Sequence, residues 1–101
     1  MTIAVQQSDD RKELRLKIIG RLELADHRDF REAYIASDPS QVSYVVDLQD
    51  TASIDSATLG MLLAMREDLG GEKVVITLAN CSPEIVKILS VTNISRLFVI
   101  Q

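Results

Sequence analysis

The chain contains one cysteine, Cys81, so it can form neither an internal disulfide nor a thiolate metal cage, which suits a reducing compartment. Its one histidine, His27, cannot complete a zinc site with that thiol, and the carboxylates lack calcium-loop spacing. No apolar run approaches the roughly 20 residues of a membrane-spanning helix. Residues 1–10 lack the basic and then apolar pattern of an export leader. Cations are also scarce: 11 Lys and Arg stand against 15 Asp and Glu, and a net charge of −4 is the wrong sign for general attraction to nucleic-acid phosphates. The expectation is a cytoplasmic protein that engages neither membrane nor nucleic acid.

What the chain does have is material for a core. Hydrophobic residues make up 47% and charged residues 26% of 101 positions, the balance of one packed domain over residues 1–101, with no linker or repeat. Ile3 and Val5, then Leu14, Leu16 and Ile18, alternate with polar neighbours and predict two strands. The polar cluster Ser8–Lys12 between them is short enough to turn an antiparallel hairpin.

Beyond Gly20 the spacing of Phe30, Ala33, Tyr34 and Ser37 predicts a helix capped by Asp26 and ended by Asp38-Pro39-Ser40. Tyr44–Leu48 is apolar enough to predict a central strand covered by helices on both sides or nearly so. A second helix runs from Ser56 to Leu69 before Gly70 and Gly71, followed by a buried strand at Val74–Leu78. Ser82-Pro83-Glu84 opens a third helix with a cap, a proline at the first helical position and an acid at the positive dipole end. Leu97–Ile100 closes the chain as a short strand. The order β-β-α-β-α-β-α-β predicts an α/β domain with a mixed, mostly parallel sheet and helices packed against it.

Catalytic constellations are missing. Ser56 stands at a helix start after a buried strand, where hydrolase nucleophiles are held, but its neighbours Asp55 and Ala57 replace the glycines that such a turn needs. His27, the only histidine available as its base, reads as a solvated residue at the opening of the first helix. Gly70 and Gly71 follow a helix and read as its stop, and Cys81 reads as a structural thiol. No catalytic residue, metal site or cofactor is expected.

The second helix says more. Leu59, Met61, Leu62, Leu63 and Met65 spread over about 200° of its circumference, whereas packing on a sheet needs a stripe of about 100°. The remainder either packs under neighbouring loops or meets a partner, and flexible methionines suit a partner surface.

The string Asp55-Ser56-Ala57-Thr58-Leu59-Gly60, followed by Met61-Leu62-Leu63, resembles the signature of the STAS domains of bacterial anti-sigma factor antagonists, which typically read Asp-Ser-(Ser or Thr)-Gly-Leu-Gly. Gly20-Arg21-Leu22-Glu23 is similar to that family's Gly-x-Leu-Asp after its second strand, and the element order matches over nearly the whole chain. The resemblance implies partner switching by a regulator that is not an enzyme. The unmodified antagonist binds an anti-sigma factor that is also a serine kinase, and so frees the sigma factor. Phosphorylation ends the binding, and a metal-dependent serine phosphatase restores it.

Carried over by position, Ser56 is the phosphoacceptor, Asp55 the preceding acid and Glu23 the counterpart of the family's aspartate. Ala57, Thr58, Leu59 and Met61 complete the expected partner-binding set, with Met61 on the surplus apolar arc. Stand-alone members of the family also work with response regulators that carry kinase and phosphatase modules and control adhesion or motility. A scaffold or small-ligand sensor with Ser56 unmodified is the competing reading. Thr58 departs from the family glycine and stiffens the helix start, and Glu23 is one methylene longer than aspartate. Many relatives append a further helix after the last strand, where this chain stops, so a monomer or weak homodimer is expected.

Overall fold

Residues 2–101 are described by a computed structural model; Met1, the first residue of the expected domain, lies outside them. Strands β1 (Thr2–Gln7) and β2 (Glu13–Ile19) form the expected hairpin, antiparallel from Thr2 opposite Ile19 to Gln7 opposite Leu14. The polar cluster closes the turn. The Asp10 carboxylate accepts from the Ser8 hydroxyl (2.5 Å) and the Lys12 N–H (3.0 Å), while Arg11 adopts a left-handed φ of 59°. Strands β3 (Ser43–Asp50), β4 (Ile76–Ala79) and β5 (Val99–Ile100) each run parallel to the strand before, giving the sheet order β1-β2-β3-β4-β5.

Helices α1 (His27–Glu32), α2 (Ser56–Asp68) and α3 (Pro83–Val91) connect the parallel strands in turn. Every crossover steps to the next strand in the same direction, so the right-handed connection rule sends all three helices to one face. Phe30, Leu62, Met65, Ile85 and Leu89 accordingly join Leu14, Leu16, Val46 and Leu78 in one core cluster. The expectation of helices on both faces is therefore corrected. Val45 and Ala79 point to the reverse face, where they are buried but lie outside that cluster. Asp47 shares this face at 5% exposure and is satisfied by Arg15 Nη1 (2.8 Å), Asn80 Nδ2 (3.0 Å) and the Gln49 N–H (3.0 Å). Side chains and an ion pair, not a helix, cover the middle of β3.

Four boundaries also differ from expectation. The strand expected over Val74–Leu78 starts only at Ile76, because the 3-10 turn Gly71–Lys73 delays it and leaves Val75 62% exposed. Phe30 and Tyr34 are buried as predicted, with their rings 5.7 Å apart in an edge-to-face pair. Yet α1 ends at Glu32, well before Pro39, because its last turn tightens: the Ala33 and Tyr34 N–H groups donate three residues back, to Phe30 and Arg31. Asp26 does not cap α1 through its side chain; its carboxylate accepts from the Glu23 N–H (2.8 Å) around a 3-10 turn, Leu24–Asp26, that leads into the helix. Leu97 belongs to a 3-10 turn, Ile94–Leu97, and the final strand has only two residues. The start of α3 is as expected, with the Ser82 hydroxyl accepting from the Ile85 N–H at 3.2 Å.

Candidate functional site

After β3 the chain must leave the sheet and begin α2, and several contacts set where it does so. Thr51 Oγ1 donates to the Ile18 carbonyl (3.2 Å), and Ile54 is buried one position before the cap. Asp55 is the cap: its Oδ1 accepts from the Thr58 N–H at 3.0 Å. Its other oxygen, Oδ2, accepts from Arg21 Nε (3.2 Å) and Nη2 (2.6 Å). The Arg21 bonds, followed by the Thr58 N–H, lower the Asp55 carboxyl to about 2.

Arg21 reaches this point because Gly20, at a φ of 89° open to glycine, turns the chain after β2 and donates its N–H to the Asp50 carbonyl (3.1 Å). Thr58 ties the same two segments from the inside, with Oγ1 3.2 Å from the Leu22 carbonyl and 3.3 Å from Asp55 Oδ1. The two sequence strings are thus one structural unit, pinned outside by an ion pair and inside by a hydroxyl.

Ser56 is the first residue of α2 and is exposed, and among the described residues its hydroxyl has no hydrogen-bond partner. Beside it lies a shallow concavity of about 250 Å³, walled by Leu24, His27, Ala57, Gly60 and Ala64, with Met61 at its base. Leu24 stands 75% exposed on the rim, while Ala57, Gly60 and Ala64 follow the three-and-four spacing of one helix face. Gly60 has an ordinary backbone conformation, and nothing lies within 4 Å of where its Cβ would be. Its lack of a side chain therefore keeps space open outside the chain and relieves nothing within it.

The structure places Ser56 and Ala57 on the wall of this concavity, with Asp55 capping the same helix one residue before, and leaves Glu23 exposed on the loop that carries Leu24. Two residues read as docking positions are corrected. Thr58 is 1% exposed and Met61 3%, so neither presents a side chain for a partner to cover. Leu59 is half-buried against the core and does not line the concavity. The wide apolar arc of α2 is thus consumed mainly by packing, with Met61, Leu62 and Met65 in the core and Leu59 and Leu63 beside it.

Arg21, Leu24 and Ala64 were not legible as site residues, and Gly60 had no role beyond the motif. Leu22 and Leu24 stand two positions apart in the same loop, and only the fold shows that the first is buried and the second exposed. His27 is solvated as expected but shares the concavity with Ser56. Cys81 is half-buried, donates its thiol to the Leu78 carbonyl (3.4 Å) and is raised in pKa by burial, as a structural thiol should be. Among the described residues no group of three or more His, Cys, Asp or Glu is placed to hold a metal, and no helix is long and apolar enough to cross a membrane.

A family model described as Mlab, STAS domain, matches residues 5–100. A STAS-domain containing protein of Pseudomonas aeruginosa (strain UCBPP-PA14) is 47% identical over 103 residues, covering all of both chains. Among solved structures, an anti-sigma-factor antagonist (STAS) domain protein from Planctomyces limnophilus superposes with a TM-score of 0.80 at 18% identity, covering 97% of this chain and 87% of that one. The anti-sigma factor antagonist SpoIIAA in its unphosphorylated form gives 0.77 at 15% identity, over 99% and 88%. The same protein of Bacillus in its phosphorylated form gives 0.70 at 16%, over 99% and 91%.

Proposed function

We propose, from the premise that this chain belongs to the STAS-domain family, that it is an anti-sigma factor antagonist working by partner switching. In the unmodified state the face around Ser56, Ala57, Gly60 and Leu24 docks on an anti-sigma factor that is also a serine kinase, and the sigma factor is freed. The kinase moves the terminal phosphoryl group of its nucleoside triphosphate to Ser56: the Oγ–P bond forms, the bond to the nucleoside diphosphate breaks, and the hydroxyl proton leaves to a base of the kinase. A metal-dependent phosphatase hydrolyses the phosphoserine and restores the docking form.

The observation that carries this reading is an exposed, unpartnered Ser56 hydroxyl at the rim of an apolar concavity. A phosphate there adds roughly −1.5 to −2 charges. The fold tolerates them, because Ser56 occupies the first turn of α2, where exposed amides and the helix dipole favour an anion. A docked partner does not, because it would have to bury that charge against Leu24 and Gly60 beside the Asp55 carboxylate. The competing ligand-sensor reading finds less support: the concavity is shallow and about 250 Å³, below the roughly 300–1,000 Å³ of small-molecule sites.

The deciding experiment uses wild-type and Ser56→Asp protein as baits in the host lysate, with intact-mass measurement of the native protein. The expected result is a species one phosphate heavier that disappears in Ser56→Ala, and a regulator with a kinase module captured by wild type alone. Equal capture by both baits, or no phosphorylated species under any growth condition, overturns the reading. Thermal melting of Ser56→Asp should stay close to wild type.

A further inference from the structure

We propose that Arg21 is the ligand of the phosphate carried by modified Ser56, its guanidinium bridging the Asp55 carboxylate and the phosphate oxygens. This rests on the reading of Ser56 as a phosphoacceptor. Both contacts that Arg21 makes in the unmodified protein, Nε at 3.2 Å and Nη2 at 2.6 Å, fall on the same atom, Asp55 Oδ2. A guanidinium presents five N–H donors in a rigid planar fork, so three remain for a second anion. The Arg21 side chain is 63% exposed, which leaves those donors facing solvent. Asp55 and Ser56 are consecutive, so the cation is already moored to the residue before the modified one.

Asp55 need not be released for this to happen. Its Oδ1 stays with the Thr58 N–H, and Oδ2 keeps one arm of the fork while the other turns to the phosphate. What distinguishes Arg21 from the other arginines of this region is the place of its partner: Arg28 pairs with Glu32 (3.1 Å) and Arg31 with Asp68 (3.2 Å), whereas Arg21 is bound to the residue that precedes Ser56. Without a bridge, a dianion would stand next to an ionised Asp55 and near the exposed Glu23, a like-charge arrangement that costs stability. With it, the phosphate is held over the start of α2 by a bidentate, charge-assisted contact of the kind guanidinium groups make best.

The test uses the full chain with phosphoserine installed at position 56 during synthesis, so no kinase is needed and the outcome is independent of whether the host modifies this residue. The second ionisation of the phosphate is followed by phosphorus NMR in wild type, Arg21→Gln and Arg21→Lys. The wild-type midpoint should lie below that of Arg21→Gln by about half a pH unit, about threefold in proton affinity, with Arg21→Lys between them. Since His27 lines the same concavity as Ser56, the titrations are repeated in a His27→Gln background, which should preserve the Arg21 difference.

The Arg21 Nε–H resonance should also move downfield when phosphoserine replaces serine, a readout that stands even if Arg21→Gln fails to fold. An unmoved resonance, or equal midpoints in folded wild type and Arg21→Gln, overturns the proposal while leaving partner switching intact. Absence of phosphorylation in the host does the reverse.

Discussion

Gly60→Ala separates folding from docking because the two respond in opposite directions. Gly60 lies inside α2 with an ordinary backbone conformation, where a glycine costs roughly 0.5–1 kcal/mol relative to alanine. The added methyl meets nothing within 4 Å, so no steric penalty offsets the gain. The variant should be more stable by that amount, a rise in melting temperature of about 2–8 °C for a domain near 100 residues. The same methyl projects into the concavity beside Ser56, where an apposed partner surface would be overpacked by about 1–3 kcal/mol, roughly 5- to 150-fold in Kd. Circular-dichroism melts and calorimetric titration against the captured partner measure both. A stabilised variant that binds normally would refute the docking face, and a destabilised one would refute the account of why this position lacks a side chain.

Met61→Asp should unfold the domain rather than only weaken binding, because Met61 is 3% exposed and an unpaired carboxylate in its place costs several kcal/mol; a urea transition unchanged from wild type would contradict this. Asp55→Asn should narrow its stability gap to wild type in acid. The carboxyl is depressed to about 2, so its contribution is complete above the unfolded value near 3.8 and is lost as pH falls from there through about 2. Denaturation midpoints at pH 6 and pH 2.5 check this, and an equal gap at both values would discount the Arg21 pairing.

Where a feature depends on neighbours in the chain, residue order showed it directly. The hairpin followed from alternation and a polar turn, and α3 from Ser82-Pro83-Glu84. The position of Ser56 at a helix start followed from Asp55 and the apolar run behind it. The end of α1 did not, because its final turn tightens toward Phe30 and Tyr34, whose burial against distant strands holds the segment. Met61 shows the same limit at the site. With apolar residues across about 200° of α2, helical periodicity defines their relative angles but not which of them face the sheet. Packing chose Met61, Leu62 and Met65 and left the small residues Ala57, Gly60 and Ala64 lining the concavity.

Local chemistry therefore decided the kinds of element, their order and the helix start at Asp55-Ser56, since each depends on backbone sterics and hydrogen bonds within a few residues. Long-range pairing decided the rest. The sequential strand order put every helix on one face, and the turn at Gly20 brought Arg21 and Leu22 from a distant loop to the start of α2. The concavity exists only where Leu24 and His27 meet that helix. Such contacts join residues more than 30 positions apart, and their geometry is set by closing the whole sheet and core together, which no short stretch of sequence specifies.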